Sequence, residues 1–223
     1  MIFEIDIWRS EKSHDDIAAW CVNAREATQE SGFGCATLHQ VYKQINQRGY
    51  DFVSIVDWDD ASSRASAISP CETLIRKEGN SAPNLYSLIN SGGDLSASDP
   101  GNLIVTNPYR IDRASSAQHA EMWEQSKQHM EGKEGFINAR FFEAIESASE
   151  YIFVSRAEWR SEDLFMRQFA GRNFREIVAP FESMFSICFS RVVVRVEQNV
   201  MQYAPSIQNA EKNNDQRYRP YRD

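Results

Sequence analysis

The sequence predicts an α+β protein in which two copies of one βαββαβ module form a barrel, and three observations point there. Phe52-Val53-Ser54-Ile55-Val56-Asp57-Trp58 and Phe153-Val154-Ser155-Arg156-Ala157-Glu158-Trp159 share the pattern F-V-S-x-x-[DE]-W. Trp20 stands twelve residues before Gly32-Phe33, and Trp123 stands twelve before Gly135-Phe136. In both halves the hydrophobic period alternates in the same order between two and about 3.6. Spacing matched over so long a stretch marks a tandem repeat, so function is sought between the halves.

The first module, residues 1–90, opens with a strand over Ile2 to Trp8, where apolar and acidic residues alternate. A helix follows over Ser13 to Glu30, with Ser13 as N-cap ahead of His14-Asp15-Asp16 and Gly32 as the stop. Cys35 to Tyr42 and Tyr50 to Trp58 read as a hairpin around Asn46-Gln47-Arg48-Gly49, then a short helix over Ala61 to Ile68 and a strand over Asn84 to Asn90. Residues 91–102 are rich in Gly, Ser and Asp and read as a linker. The second module, residues 103–197, repeats the order. Its elements are a strand Leu103 to Asn107, a helix Ser115 to Glu131, central strands Phe136 to Glu143 and Tyr151 to Trp159, a helix Glu162 to Phe169 and a long strand Ser183 to Glu197. Ala120, Trp123, Lys127 and Met130 form one stripe of its first helix. Residues 198–223 are polar and read as a disordered tail or an arm over the partner module. This order is the ferredoxin-like arrangement, with both helices on one face of an antiparallel sheet; the second copy covers the other face and closes an intramolecular dimeric α+β barrel.

Composition narrows the function classes. A net charge of −8 disfavours a nucleic-acid partner, which Lys and Arg would have to neutralise, and the basic run Arg217 to Arg222 reads as solvated tail. Cys21, Cys35, Cys71 and Cys188 are too dispersed for a zinc or redox motif, so no metal is expected and a reduced, cytoplasmic setting fits. Met1 to Ile7 lacks the features of a signal peptide, and the apolar stretch Met184 to Val196 is broken by Arg191 and Arg195, so no membrane partner is expected. A homodimer is left open.

Asn107-Pro108-Tyr109-Arg110-Ile111, Trp123, Gly135-Phe136-Ile137 and Phe153 through Ser161 resemble the antibiotic biosynthesis monooxygenase family, over nearly all of the second module and more weakly in the first. The resemblance implies a dimeric α+β barrel, with tandem copies similar to the larger polyketide-tailoring members. It also implies a monooxygenase that oxidises an anthrone- or hydroquinone-like intermediate of secondary metabolism with O2. Such enzymes need no cofactor, or take reduced flavin (FADH2 or FMNH2) as co-substrate. The heme-degrading branch carries an Asn on the first strand, a Trp on the second helix and a His about ten residues later. Asn107 matches the first, whereas Gln168 and Val178 stand at the other two, which leaves the iron without its axial ligand. A non-catalytic protein that binds a hydrophobic ligand is the alternative from another class, and heme binding or degradation, with axial ligation from elsewhere in the chain, is a further one.

Cofactor-free oxidation needs a base or acceptor, a donor for the developing peroxide, and a dry aromatic pocket. Asn107 is the sharpest catalytic candidate, a strand-end amide able to donate to an oxyanion or to orient O2; the other reading is a turn residue ahead of Pro108. Cys35, Thr37 and His39 share one strand face, and so do Asn138, Arg140 and Phe142, while Ala36, Leu38, Ala139 and Phe141 face the helices. The polar face is expected to look into the barrel, where His39 could act as general base and Arg140 could stabilise an anion, or both could sit at a wet mouth. Phe142, Tyr109, Trp159 and Trp58 are the candidate aromatic contacts, although recurrence in both copies favours a packing role for the two tryptophans. His119 and His129 are expected to be exposed.

Overall fold

The computed structural model describes residues 1–45, 49–67, 69–71, 74, 84–96, 98–146, 149–197 and 200–204. Strands β1 (Ile2–Trp8), β2 (Phe33–Gln44), β3 (Phe52–Trp58) and β4 (Leu85–Gly93) come from the first half, with helices α1 (Ser13–Ala27) and α2 (Ala61–Ser66). The second half supplies β5 (Leu103–Tyr109), β6 (Phe136–Ala144), β7 (Phe153–Trp159) and β8 (Cys188–Glu197), with α3 (Ser116–Met130), α4 (Glu162–Phe169) and α5 (Arg172–Val178), and a short β9 (Val200–Tyr203) ends the described chain.

The sheet runs β2-β3-β1-β4-β6-β7-β5-β8-β9, and β2 also pairs with β8, so eight antiparallel strands close into a barrel. Each half contributes its four strands in the same internal order, and the halves meet at two seams, β4 on β6 and β2 on β8. Closure leaves no unpaired edge among those eight strands.

Local chemistry explains why both halves turn the same way. Gly32 and Gly135 hold φ of +82° and +88°, and each carbonyl accepts a 2.8 Å bond from the backbone N–H beyond the third strand, Asp59 in one half and Arg160 in the other. A Cβ at Gly135 would lie 2.6 Å from Leu164 Cδ1, and one at Gly32 would lie 2.5 Å from Ser63 Oγ. Asp60 and Ser161 then cap the following helices by accepting from the N–H three residues on.

Pleat alternation divides the side chains. Ala36 and Leu38 pack under α1 with Trp20, and Ala139 and Phe141 pack with Trp123 of α3, as the sequence pattern requires. The opposite face fills the barrel. Phe3, Ile5, Val53, Phe142 and Val154 form an apolar plug joining both halves, and the other part of the interior is charged and polar.

Several boundaries differ from expectation. Ser91, Gly92 and Gly93 extend β4 along β6 instead of starting a linker, because they pair with Arg140, Ala139 and Asn138. Lys12, not Ser13, occupies the N-cap of α1. Before β8, residues 179–184 form a 3-10 turn ending at Met184 instead of strand, with Pro180 in its first turn. Val200 to Tyr203 pair with Val194 to Glu197, whereas residues 198–199 and 205–223 of the expected tail lie outside the described residues, as do residues 46–48 of the first hairpin and Ile68. Among the described residues no helix is long and apolar enough to cross a membrane.

Candidate active site

A cavity with about 90 Å³ open to the centre of a water molecule lies between the outer face of β5, β6 and β7 and helices α3, α4 and α5. All its described lining residues come from the second half, which places it within one half instead of between the two. Trp123, Phe136, Trp159, Phe165, Phe174 and Phe185 supply aromatic walls. Trp123 is stacked on Phe141 at 4.8 Å, and Trp159 meets Phe136 and Phe165 edge-on at 5.4 and 5.5 Å.

A small polar group interrupts this apolar wall. Trp123 Nε1 donates to Ser155 Oγ at 2.9 Å, and Asn107 Oδ1 accepts the backbone N–H of Ser186 at 2.8 Å. Fixing that oxygen orients the amide and presents its Nδ2 group on the other side. Tyr109 lies beside both: burial pushes its hydroxyl above the ordinary tyrosine value, while hydrogen bonding from Asn107 and Ser155 opposes the rise. Asn107, Tyr109, Trp123 and Ser155 all reach the cavity. Lys127 is the single charged residue in the described lining.

The sequence candidates divide between two places. Asn107, Tyr109 and Trp159 line the cavity together. His39, Arg140 and Phe142 lie on the barrel side of the sheet, and Trp58 lies in the first half's core against Phe33. His39 is fully buried, 3.0 Å from Thr37 Oγ1 through Nε2, and its Nδ1 has no hydrogen-bond partner among the described residues. Burial, then the charge of Arg156, holds its pKa well below the ordinary histidine value, so the ring is neutral at physiological pH. Arg140 sits with Arg156 and Arg195 around Asp57, whose carboxyl burial pushes up to about 6 against the pull of those arginines. His119 is buried, not exposed as expected: its Nδ1 donates to the Ser115 carbonyl at 2.9 Å, and its ring meets Tyr109 and Phe181 edge-on. Trp123 and Ser155 were missed as site residues because both belong to the repeated framework, which reads as packing.

The first half shows what became of the same position there. By register Asp6 faces Ser54 as Asn107 faces Ser155, and Trp20 Nε1 donates to Ser54 Oγ, again at 2.9 Å. Glu4 and Arg64 stand where the second half has Val105 and Phe165, and they form a buried bidentate pair at 2.6 and 2.8 Å. The ion pair thus stands at positions equivalent to two residues of the cavity wall, Val105 and Phe165.

Solved structures share this arrangement at low identity. An anthrone oxidase-like protein superposes with a TM-score of 0.66 at 9% identity, over 91% of this chain and 94% of its own. The fold is that of the antibiotic biosynthesis monooxygenase relatives. A proposed monooxygenase of Fusobacterium nucleatum gives 0.59 at 10% identity over 91% and 96% of the two chains. A ferredoxin-fold protein of Listeria monocytogenes described as related to antibiotic biosynthesis monooxygenases gives 0.50 at 12% over 86% and 93%. No protein-family model and no curated protein sequence matches the chain.

Metal and heme chemistry find few ligands here. Among the described residues no group of three or more His, Cys, Asp or Glu side chains is placed to hold a metal ion. Val178, at the position of the heme-degrading branch's histidine, is an apolar part of the cavity wall, and no His or Cys stands among the described lining residues. The described wall thus offers a heme iron no imidazole or thiolate.

Proposed function

We propose that the second-half cavity binds a phenolic anthrone- or hydroquinone-like aromatic and that the chain oxidises it with O2, as a polyketide-tailoring monooxygenase would. The observation that carries this reading is the joining of Asn107, Tyr109, Trp123 and Ser155 within one aromatic-walled cavity. The substrate is the reductant: its ionised form passes an electron to O2, the radical pair recombines as a peroxide on carbon, and loss of water leaves a carbonyl. One oxygen atom of O2 is retained and the other leaves as water. In this reading the Asn107 amide and the Tyr109 hydroxyl donate to the oxygen that gains charge, and the aromatic walls exclude water. Reduced flavin, where used, enters as a second substrate that supplies electrons to O2.

The barrel is read as an intramolecular dimer of two ferredoxin-like modules, 1–90 and 103–197. Support comes from the identical strand order and from paired features such as the two Trp-to-Ser bonds and the two left-handed glycines. One module keeps its cavity and the other places an ion pair at two equivalent wall positions. A binding protein is the second reading, favoured by the lack of a carboxylate or imidazole in the described lining. Oxygen uptake with an anthrone and with a dihydroxynaphthalene, each with and without reduced flavin, tests the choice. Uptake above the protein-free rate that falls at least tenfold in Asn107→Ala supports oxidation; ligand binding without uptake supports the binding protein.

A further inference from the structure

Resting on that reading of the cavity, we infer that Lys127 makes the site one for the ionised form of its ligand, so that a bound phenol is held as phenolate. Oxidation by O2 requires an electron-rich anion, yet no carboxylate or imidazole stands in the described lining to take the proton. The alternative to a base is a fixed positive charge that lowers the pKa of the bound phenol, and Lys127 supplies one. Its side chain is 12% exposed, and its Nζ lies 5.8 Å from the Trp123 ring centroid.

The placement of Lys127 is built by both halves of the chain. Nζ donates to Asn90 Oδ1 of β4 at 3.1 Å and pairs with Glu124 Oε2 at 2.9 Å, while Asn90 Nδ2 donates to the same Glu124 oxygen at 2.6 Å. Gly92 lets the lysine stem lie against the strand, since a Cβ there would come within 2.9 Å of Lys127 Cδ and 2.1 Å of Glu131 Oε1. The Gly-rich stretch that reads as linker thus seats the cavity's cation. Glu124 offsets that charge only in part: it lies outside the described lining and is 34% exposed, where water and salt screen it, whereas the Lys127 side chain is part of the wall and 12% exposed. The other ionisable groups around the wall are Tyr109 on β5, Glu131 at the C-cap of α3, His119 against Tyr109, and His129 against Phe174.

The test uses the whole chain and a nitronaphthol, whose visible absorption reports its ionisation, titrated with pH while bound. The bound midpoint is expected about one pH unit or more below that of the free probe. Lys127→Met should return it to or above the free value, because an apolar wall penalises the anion. Lys127→Arg should keep the downward shift, and Glu124→Gln should deepen it. A midpoint equal in the native chain and Lys127→Met, with the probe bound in both, overturns the role of Lys127 and leaves the cavity reading standing. If the probe fails to bind, or binds equally well to an Ala157→Phe chain with the cavity filled, both readings are overturned.

Discussion

Glu4 and Arg64 offer a sharp test of how the two halves differ. Glu4 is 1% exposed and accepts both of its bonds from the Arg64 guanidinium, whose Nη1 also donates to the Ala67 carbonyl at 3.1 Å. Arg64→Phe installs the residue found at the equivalent position in the second half and strands a buried carboxylate, which costs about 3–5 kcal/mol. Glu4→Val should cost less, since Arg64 keeps its bond to Ala67 and its contact with the Trp58 ring at 6.0 Å. The double variant removes both charges and should recover most of the loss, ending within about 1 kcal/mol of the parent or above it. Urea unfolding of the four chains at one pH gives the cycle, with equal m-values required for the comparison. If Arg64→Phe costs under 1 kcal/mol, or the double variant costs the sum of the singles, the ion pair is not the buried unit described.

Two further predictions concern backbone and charge. Gly135→Ala must hold φ near +88° and push Leu164 aside, so it should lose about 1–3 kcal/mol, whereas Gly132→Ala, at φ +77° with nothing within 4 Å, should lose about 1 kcal/mol from φ alone; thermal unfolding of both measures the difference. Burial, then Glu4, pushes the Asp6 carboxyl up to about 7 from 3.8, so the unfolded chain releases that proton first. Stability should therefore be greatest below about pH 4 for this group and should fall as pH rises toward 7. Asp6→Asn, which copies Asn107, should flatten the pH dependence of denaturant midpoints in that window, and an unchanged slope would show that Asp6 does not titrate there.

The strand order within each half, the strand alternation and the polar barrel face were legible because they rest on periodicity and on matched Trp, Gly and Ser positions. The site was half legible. Asn107 could be named because a strand-end amide matches the resembled family's first strand, and Tyr109 because an aromatic hydroxyl two residues on shares its strand face. The cavity's location was not legible. It depends on α5 and the turn after it, where Phe174, Val178 and Phe185 form part of the wall, and the sequence pattern predicts no helix between Phe169 and Ser183. The polar strand face drew attention to His39 and Arg140, yet alternation sends those residues to the other side of the sheet from the cavity. Nor does periodicity reveal that Glu4 and Arg64, sixty residues apart, meet inside the first half.

The central claim is that chemistry takes place in the second-half cavity and not in the barrel. Oxygen uptake with a dihydroxynaphthalene, measured for Ala157→Phe and His39→Gln chains of native circular dichroism, tests it most directly. The account predicts at least a tenfold loss in Ala157→Phe, which fills the cavity, and a rate within twofold of the parent in His39→Gln. Loss in His39→Gln with full activity in Ala157→Phe, or no uptake by the parent above the protein-free rate, would contradict it.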